Sequence, residues 1–174
     1  MRTLPIKLDG RTYLWNGSTW TDERFLRPPG KVGNLLMGRL VQTLRRTRHA
    51  KVDGDLVLSA AAACATDGDL ETASELASRV LRIDPRHVGA ATLMATLLRK
   101  QRQPREALRV TESFQRRRDA ALLVVRAAAS CDVGDWEAAD KLVRRAIAIE
   151  KTNTRPETLR VLARVMSARA RSAA

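Results

Sequence analysis

Hydrophobic residues recur at helical spacing over most of the 174-residue chain. In residues 32–48 they recur every four positions, which predicts an amphipathic helix built on Val32, Leu36, Leu40 and Leu44. Residues 154–174 show a second helical pattern. The apolar stripe predicted for this last helix consists of Leu159, Leu162, Ala163 and Met166.

The N-terminal segment has the pattern of short strands separated by turns. Asp9-Gly10 and Asn16-Gly17 are pairs typical of two-residue hairpin turns, because both central residues of such a turn need positive φ. With these turns the register places Ile6 opposite Tyr13 and Tyr13 opposite Trp20, in one row on one face. We therefore expect a three-stranded meander with strands at about residues 4–8, 11–15 and 18–22.

Three central segments share the order helix, short turn, helix: residues 54–87, 88–119 and 120–153. Aligning the alanine early in each second helix places Ala73, Ala107 and Ala139 in register, with spacings of 34 and 32 residues. Gly68 and Gly134 then share one position in the turn, five residues before that alanine. A period near 34 residues predicts stacked helical hairpins, because one such unit cannot bury its apolar face alone.

This pattern resembles the tetratricopeptide repeat (TPR), a helix–turn–helix of 34 residues, over residues 54–153. In that family small residues occupy the sites where the two helices of a repeat cross, and the matching residues are Ala61, Ala95 and Ala127 with Ala73, Ala107 and Ala139. The middle segment departs from the pattern, since it is short and has Arg102 in place of the turn glycine. The resemblance implies a mostly α fold: a right-handed α-solenoid of TPR-like repeats, with a C-terminal capping helix and a small N-terminal β-meander.

The resemblance also implies a function and a site. Family members hold a partner peptide or helix in a concave groove lined by the first helix of each repeat, so we expect a non-catalytic adaptor or assembly scaffold that binds another protein. The groove positions carried over are Leu58, Ala62, Ala65, Thr92, Thr96, Arg99, Val124, Ala128 and Cys131. The predicted domains are a β-meander at 1–27, a linker and basic helix at 28–50, three repeats at 51–153, and a capping helix with a basic tail at 154–174.

The net charge of +13 is concentrated at the two ends, with +7 in residues 1–50 and +5 in the last 24. A positive field of this size attracts nucleic acid and acidic proteins alike. The alternative hypothesis is therefore a nucleic-acid-binding protein, with Tyr13, Trp15 and Trp20 as an aromatic platform. In that hypothesis the phosphate contacts come from Arg45, Arg46, Arg48, Arg116, Arg117 and Arg118. The competing interpretation of the aromatics is a cap packed on the helices.

Motifs for catalysis and for metal or cofactor binding are not found in the sequence: it has no glycine-rich phosphate loop, HExxH, GxSxG or paired-cysteine spacing. Cys64 and Cys131 are expected to be buried small hydrophobes. Two cysteines do not make a disulfide framework, and the sequence shows neither an apolar run of membrane-spanning length nor an apolar leader. We therefore expect a cytoplasmic protein that does not associate with membranes. We assign no catalytic residue, metal, cofactor or small-molecule substrate.

Overall fold

The computed structural model describes residues 5–15, 19–24, 26–28, 30–47 and 53–173. The turn predicted at Asn16-Gly17 and the predicted phosphate contact Arg48 lie outside these residues. The chain divides into two compact units, Met1–Asp84 and Pro85–Ala174.

The first unit begins with a three-stranded antiparallel sheet of β1 (Ile6–Leu8), β2 (Arg11–Trp15) and β3 (Trp20–Asp22), in the order β1-β2-β3. Between β1 and β2 the register is the expected one, with Ile6 opposite Tyr13. Asp9 and Gly10 both have positive φ, 48° and 76°, as their turn requires.

The second hairpin differs from the prediction. Trp15 pairs with Trp20 and Tyr13 pairs with Asp22, so four residues rather than two connect the strands. The rings of Trp15 and Trp20 meet edge to face, with centroids 5.4 Å apart, an arrangement that stabilises cross-strand aromatic pairs. Because the register moves by two residues and not by one, Trp20 stays on the same face as Tyr13.

Three helices complete the first unit: α1 (Gly30–Arg46), α2 (Gly54–Thr66) and α3 (Leu70–Ile83). Helix α1 buries Leu36, Leu40 and Leu44 and packs against α2 and β1. From α3, the buried Arg79 donates hydrogen bonds of 2.9 Å to the carbonyl oxygens of Leu44 and Thr47. These carbonyls lie at the end of α1, where the helix itself supplies no donor, so Arg79 fixes the end of α1 to α3.

The second unit contains α4 (Val88–Lys100), α5 (Pro104–Val110), a 3-10 turn (Glu112–Phe114), α6 (Ala120–Val133), α7 (Trp136–Glu150) and α8 (Pro156–Ala173). Helices α4 and α5 pack together, as do α6 and α7, and α6 also contacts both α4 and α5. Helix α8 packs on α6 and α7.

The small residues at the expected helix crossings are all buried. Each has at most 1% of its surface exposed: Ala61, Ala73, Ala95, Ala107, Ala127 and Ala139. In the second unit Ala95 and Ala107 share one apolar cluster, and Ala127 and Ala139 share another. A larger side chain at these sites would force the helices apart.

The turn inside the middle repeat has the same left-handed backbone conformation at one residue as the turns of the other two repeats. Gly68 and Gly134 have φ of 88° and 85°, and Arg102, at the equivalent position, has φ of 64°. A left-handed conformation costs an L-amino acid about 1–2 kcal/mol that glycine avoids. The tertiary fold therefore imposes this turn on a residue that does not favour it.

Helix α8 is rotated relative to its predicted orientation. Its buried face consists of Thr158, Val161, Val165 and Ala168, whereas Leu159 and Met166 are 52% and 53% exposed. Of the predicted stripe only Leu162 packs against the core cluster, and the prediction is wrong for Leu159, Ala163 and Met166, which are exposed. In the observed orientation Val161 and Val165 pack into the core cluster, and three ion pairs form: Arg155, directly before α8, with Glu150, Arg164 with Asp132, and Arg169 with Asp140.

Candidate partner-binding surfaces

The first unit exposes one face of α2. Leu58 and Ala65 are half-buried and Ala62 is exposed. Aspartate caps hold this helix pair in place: the Asp53 carboxylate accepts from the amide of Asp55, and the Asp69 carboxylate accepts from the amide of Thr72. Since all three predicted groove positions of α2 are at least partly exposed, they form a small, apolar surface that a partner can reach.

The second unit exposes the corresponding face of α4. Thr92, Thr96 and Arg99 are half-buried. The Thr92 hydroxyl donates to the carbonyl of Val88 and the Thr96 hydroxyl to that of Thr92, both at 2.9 Å. Because these protons are used inside the helix, the face offers mainly van der Waals contact over its length and charge at its Arg99 end.

At that end two arginines share one carboxylate. Arg99 Nε donates to Asp132 Oδ2 at 2.7 Å, and Arg164 Nη2 donates to Asp132 Oδ1 at 2.8 Å. Burial raises the pKa of Asp132, but the hydrogen bonds from the two guanidinium groups outweigh it and hold the pKa below its usual value. We call Arg99, Asp132 and Arg164 the charge bridge; it joins α4, α6 and α8 and carries a net charge of +1.

Asp132 and Arg164 were missed as site residues at the sequence level, although a signal for them exists. Arg99, Asp132 and Arg164 are spaced 33 and 32 residues apart, close to one repeat length. Residues at equivalent positions of successive repeats lie side by side. Charges alternating in sign at that spacing are therefore expected to pair.

The predicted groove positions on α6 are not accessible. Val124, Ala128 and Cys131 are 7%, 4% and 4% exposed and belong to the same core cluster as Val161 and Val165 of α8. The prediction that these three residues line an open groove is corrected, because α8 packs on α6. Burial raises the pKa of the Cys131 thiol, and it does the same for Cys64, so both cysteines are poor nucleophiles.

The candidate phosphate contacts in the described residues belong to two segments of the chain, one in each unit. Arg45 and Arg46 are exposed at the end of α1 in the first unit. Arg116, Arg117 and Arg118 are exposed between the 3-10 turn and α6 in the second unit. Exposed arginines of this kind are positioned for solvent as well as for phosphate.

The candidate aromatic platform is largely enclosed. Tyr13 and Trp20 are buried, and Trp15 is half-buried with its ring against Trp20. Stacking on a nucleobase requires an open ring face. The sheet would therefore have to open before Tyr13 or Trp20 could bind a base.

Metal-binding geometry is not seen in the part of the chain that the structure describes, where no group of three or more His, Cys, Asp or Glu residues could hold an ion. Within the same residues, no helix has the length and hydrophobicity needed to cross a membrane. The first unit has an open cleft between β1 and α1 that includes the basic residues Lys7, Arg39 and Arg46.

Comparisons with known proteins identify the fold. No protein-family model matches the chain, and no curated protein matches it. Among solved structures it is similar to TTC0263, a thermophilic TPR protein of Thermus thermophilus, with a TM-score of 0.64 and 19% identity over 81% of this chain and 75% of that one. MamA of strain AMB-1 is similar with a TM-score of 0.57 and 19% identity, over 81% and 76% of the two chains. MamA from Desulfovibrio magneticus RS-1 has a TM-score of 0.52 and 19% identity, over 77% and 93%.

These likenesses confirm the fold predicted from the repeat pattern. The chain is mostly α-helical, with a small N-terminal antiparallel sheet and a helix that follows the last repeat. It has the TPR-like helical-repeat fold.

Proposed function

We propose that this protein is a non-catalytic protein–protein interaction module that holds a peptide or helix of a partner protein. TPR-like solved structures support a binding role. The proposed contact surface in the second unit is the α4 face of Thr92, Thr96 and Arg99, and in the first unit it is the α2 face of Leu58, Ala62 and Ala65. The proposed surfaces, one in each unit, include fewer residues than the groove expected from the sequence, because the α6 positions are covered.

The observation that carries this proposal is the open α4 face ending in the charge bridge. Two guanidinium groups facing one carboxylate leave an excess positive charge beside an otherwise uncharged surface. A peptide with small or apolar residues along α4 and one Asp or Glu at the bridge would complement both parts. Charge-assisted hydrogen bonds to arginine would fix its register.

A matched pair of substitutions tests this proposal. Thr96→Arg places a long cation on the α4 face, whereas Ser113→Arg adds the same charge at an exposed position of the 3-10 turn. We expect the first variant to lose the proteins captured from nuclease-treated lysate of the source cells, and the second to retain them. Far-UV circular dichroism establishes that both variants are folded.

Equal capture by the two variants contradicts the α4 surface. Ala62→Arg provides the same test on α2, where the residue is exposed. Ala128→Arg is unsuitable, because Ala128 is a core residue and the variant would test folding rather than binding. Nuclease treatment separates protein capture from association through RNA or DNA.

A further inference from the structure

The side of α8 that faces away from its buried stripe is apolar and largely exposed. Leu159 and Met166 are about half exposed and Ala163 is exposed, whereas Leu162, at the edge of this side, is half-buried and packs against the core cluster of α6, α7 and α8. These residues have the spacing i, i+3, i+4, i+7 and therefore lie on one face of the helix. We call this face the α8 stripe.

In each repeat the first helix is covered by the second helix that follows it: α2 by α3, α4 by α5 and α6 by α7. Leu159 lies 32 residues after Ala127, which shares a core cluster with Ala139 of α7. The same offset separates Asp132 from Arg164, which are in contact. The α8 stripe therefore occupies the register at which a first helix packs against its second helix.

Positive charge surrounds the α8 stripe. Helix α8 contains four arginines and one acidic residue, Glu157. In helical projection Arg169 lies to one side of the stripe and Arg160 to the other. Arg169 is half exposed although it contacts Asp140, and Arg160 is exposed.

We propose that the α8 stripe binds one amphipathic helix of a partner protein, in the position that the second helix takes on the first helix of each repeat, and that Asp or Glu residues flank the apolar stripe of that partner helix. Leucine stands at position 159 where the repeats have alanine, so the incoming helix must present a small residue opposite it. A second copy of this chain does not fit, because two α8 helices would bring eight arginines together on chains of charge +13.

The test uses three synthetic peptides of about 18 residues, a length at which stabilised helices form. One has an Ala/Leu stripe flanked by Glu, one has the same stripe flanked by Lys, and one has the first composition in scrambled order. Binding to the full chain is followed by fluorescence anisotropy and by shifts of the backbone amide resonances. We expect the Glu-flanked peptide to bind and to shift the resonances of α7 and α8, and the other two peptides to bind at least about tenfold more weakly.

Charge-neutral substitution locates the contact. Leu159→Ser with Met166→Ser should weaken the Glu-flanked peptide about tenfold, whereas Ser113→Ala, at an exposed position of the 3-10 turn outside both proposed surfaces, should leave its affinity unchanged. Equal binding of the scrambled or the Lys-flanked peptide overturns the proposal, as does an unchanged affinity of the double variant. A dimer in analytical ultracentrifugation that the double variant dissociates overturns it in favour of a second copy.

Discussion

Val165 and Met166 are neighbours in α8 with opposite environments. Val165 is completely buried in the cluster formed by α6, α7 and α8, whereas Met166 is 53% exposed. Replacing each residue by alanine therefore tests which face of α8 packs on the protein. We expect Val165→Ala to destabilise the fold and Met166→Ala to have little effect, although the methionine loses more atoms.

The magnitude follows from burial. Removing two methyl groups of Val165 forfeits about 1.6 kcal/mol of transfer free energy, at roughly 0.8 kcal/mol for each group. The cavity adds about 1 kcal/mol, because the close-packed helices relax only in part. The higher helix propensity of alanine offsets about 0.5 kcal/mol, which leaves a net loss of about 2 kcal/mol. For Met166→Ala we expect a change within about 0.5 kcal/mol.

Urea unfolding followed by far-UV circular dichroism measures both variants against the wild type. With an m-value of about 2 kcal/mol per M, Val165→Ala should lower the midpoint by about 1 M at an unchanged slope. Amide hydrogen exchange assigns the loss to α7 and α8. A larger loss for Met166→Ala than for Val165→Ala would refute the reasoning, since it would show that the α8 stripe is the packed face.

Three further predictions concern the turns, the ion pairs and the charge. Arg102→Gly should stabilise the protein by about 0.5–1 kcal/mol, because it relieves the left-handed φ. Gly134→Ala should destabilise it by about 1 kcal/mol, because it introduces a side chain at a left-handed φ. Thermal unfolding measures both variants, and unchanged stability of both would show that the turns are unstrained. Asp140→Asn removes the ion pairs with Arg144 and Arg169 and should cost about 1 kcal/mol at low salt and less at high salt. The hydrogen bond from Arg144 is the main cause that holds the pKa of Asp140 below its usual value of 3.8. As the pH falls, the carboxyl group is therefore protonated first in the unfolded chain, and the wild type loses this stability below about pH 4. The unfolding free energy of Asp140→Asn should not show this loss when it is measured against pH. Finally, a short labelled single-stranded RNA should not bind tightly at about 50 mM salt. The nucleic-acid hypothesis would be favoured instead by tight binding that falls by orders of magnitude at about 200 mM salt and weakens when Arg116, Arg117 and Arg118 are replaced by alanine.

The repeat architecture could be predicted from local sequence features. The recurrence of alanines near every 34 residues identifies the helix crossings, and all six sites are buried as expected. Aspartates before the helices act as N-caps, as at Asp119 and Asp135. The Asp9-Gly10 turn was also predictable, because its two positive φ values depend on the residues themselves. The repeat pattern also predicted which faces of the helices are equivalent to one another. It did not predict which of these faces are exposed to solvent.

The remaining features depended on contacts between segments distant in sequence. An apolar stripe shows that a helix is amphipathic, but α8 has two candidate stripes. The buried one packs Val161 and Val165 into the cluster of α6, α7 and α8, and ion pairs to Asp132, Asp140 and Glu150 add to that orientation. That choice covers Val124, Ala128 and Cys131 and leaves Leu159 and Met166 exposed. Likewise, the chain around Arg102 adopts a turn that arginine disfavours, because the packing of α4 on α5 outweighs the local strain. By itself the sequence thus determined the helices, their pairing and their small-residue crossings, since these follow from residues close together in the chain; the tertiary structure alone decided the rotation of α8 and the accessible surfaces, since these depend on which distant charges and apolar faces meet.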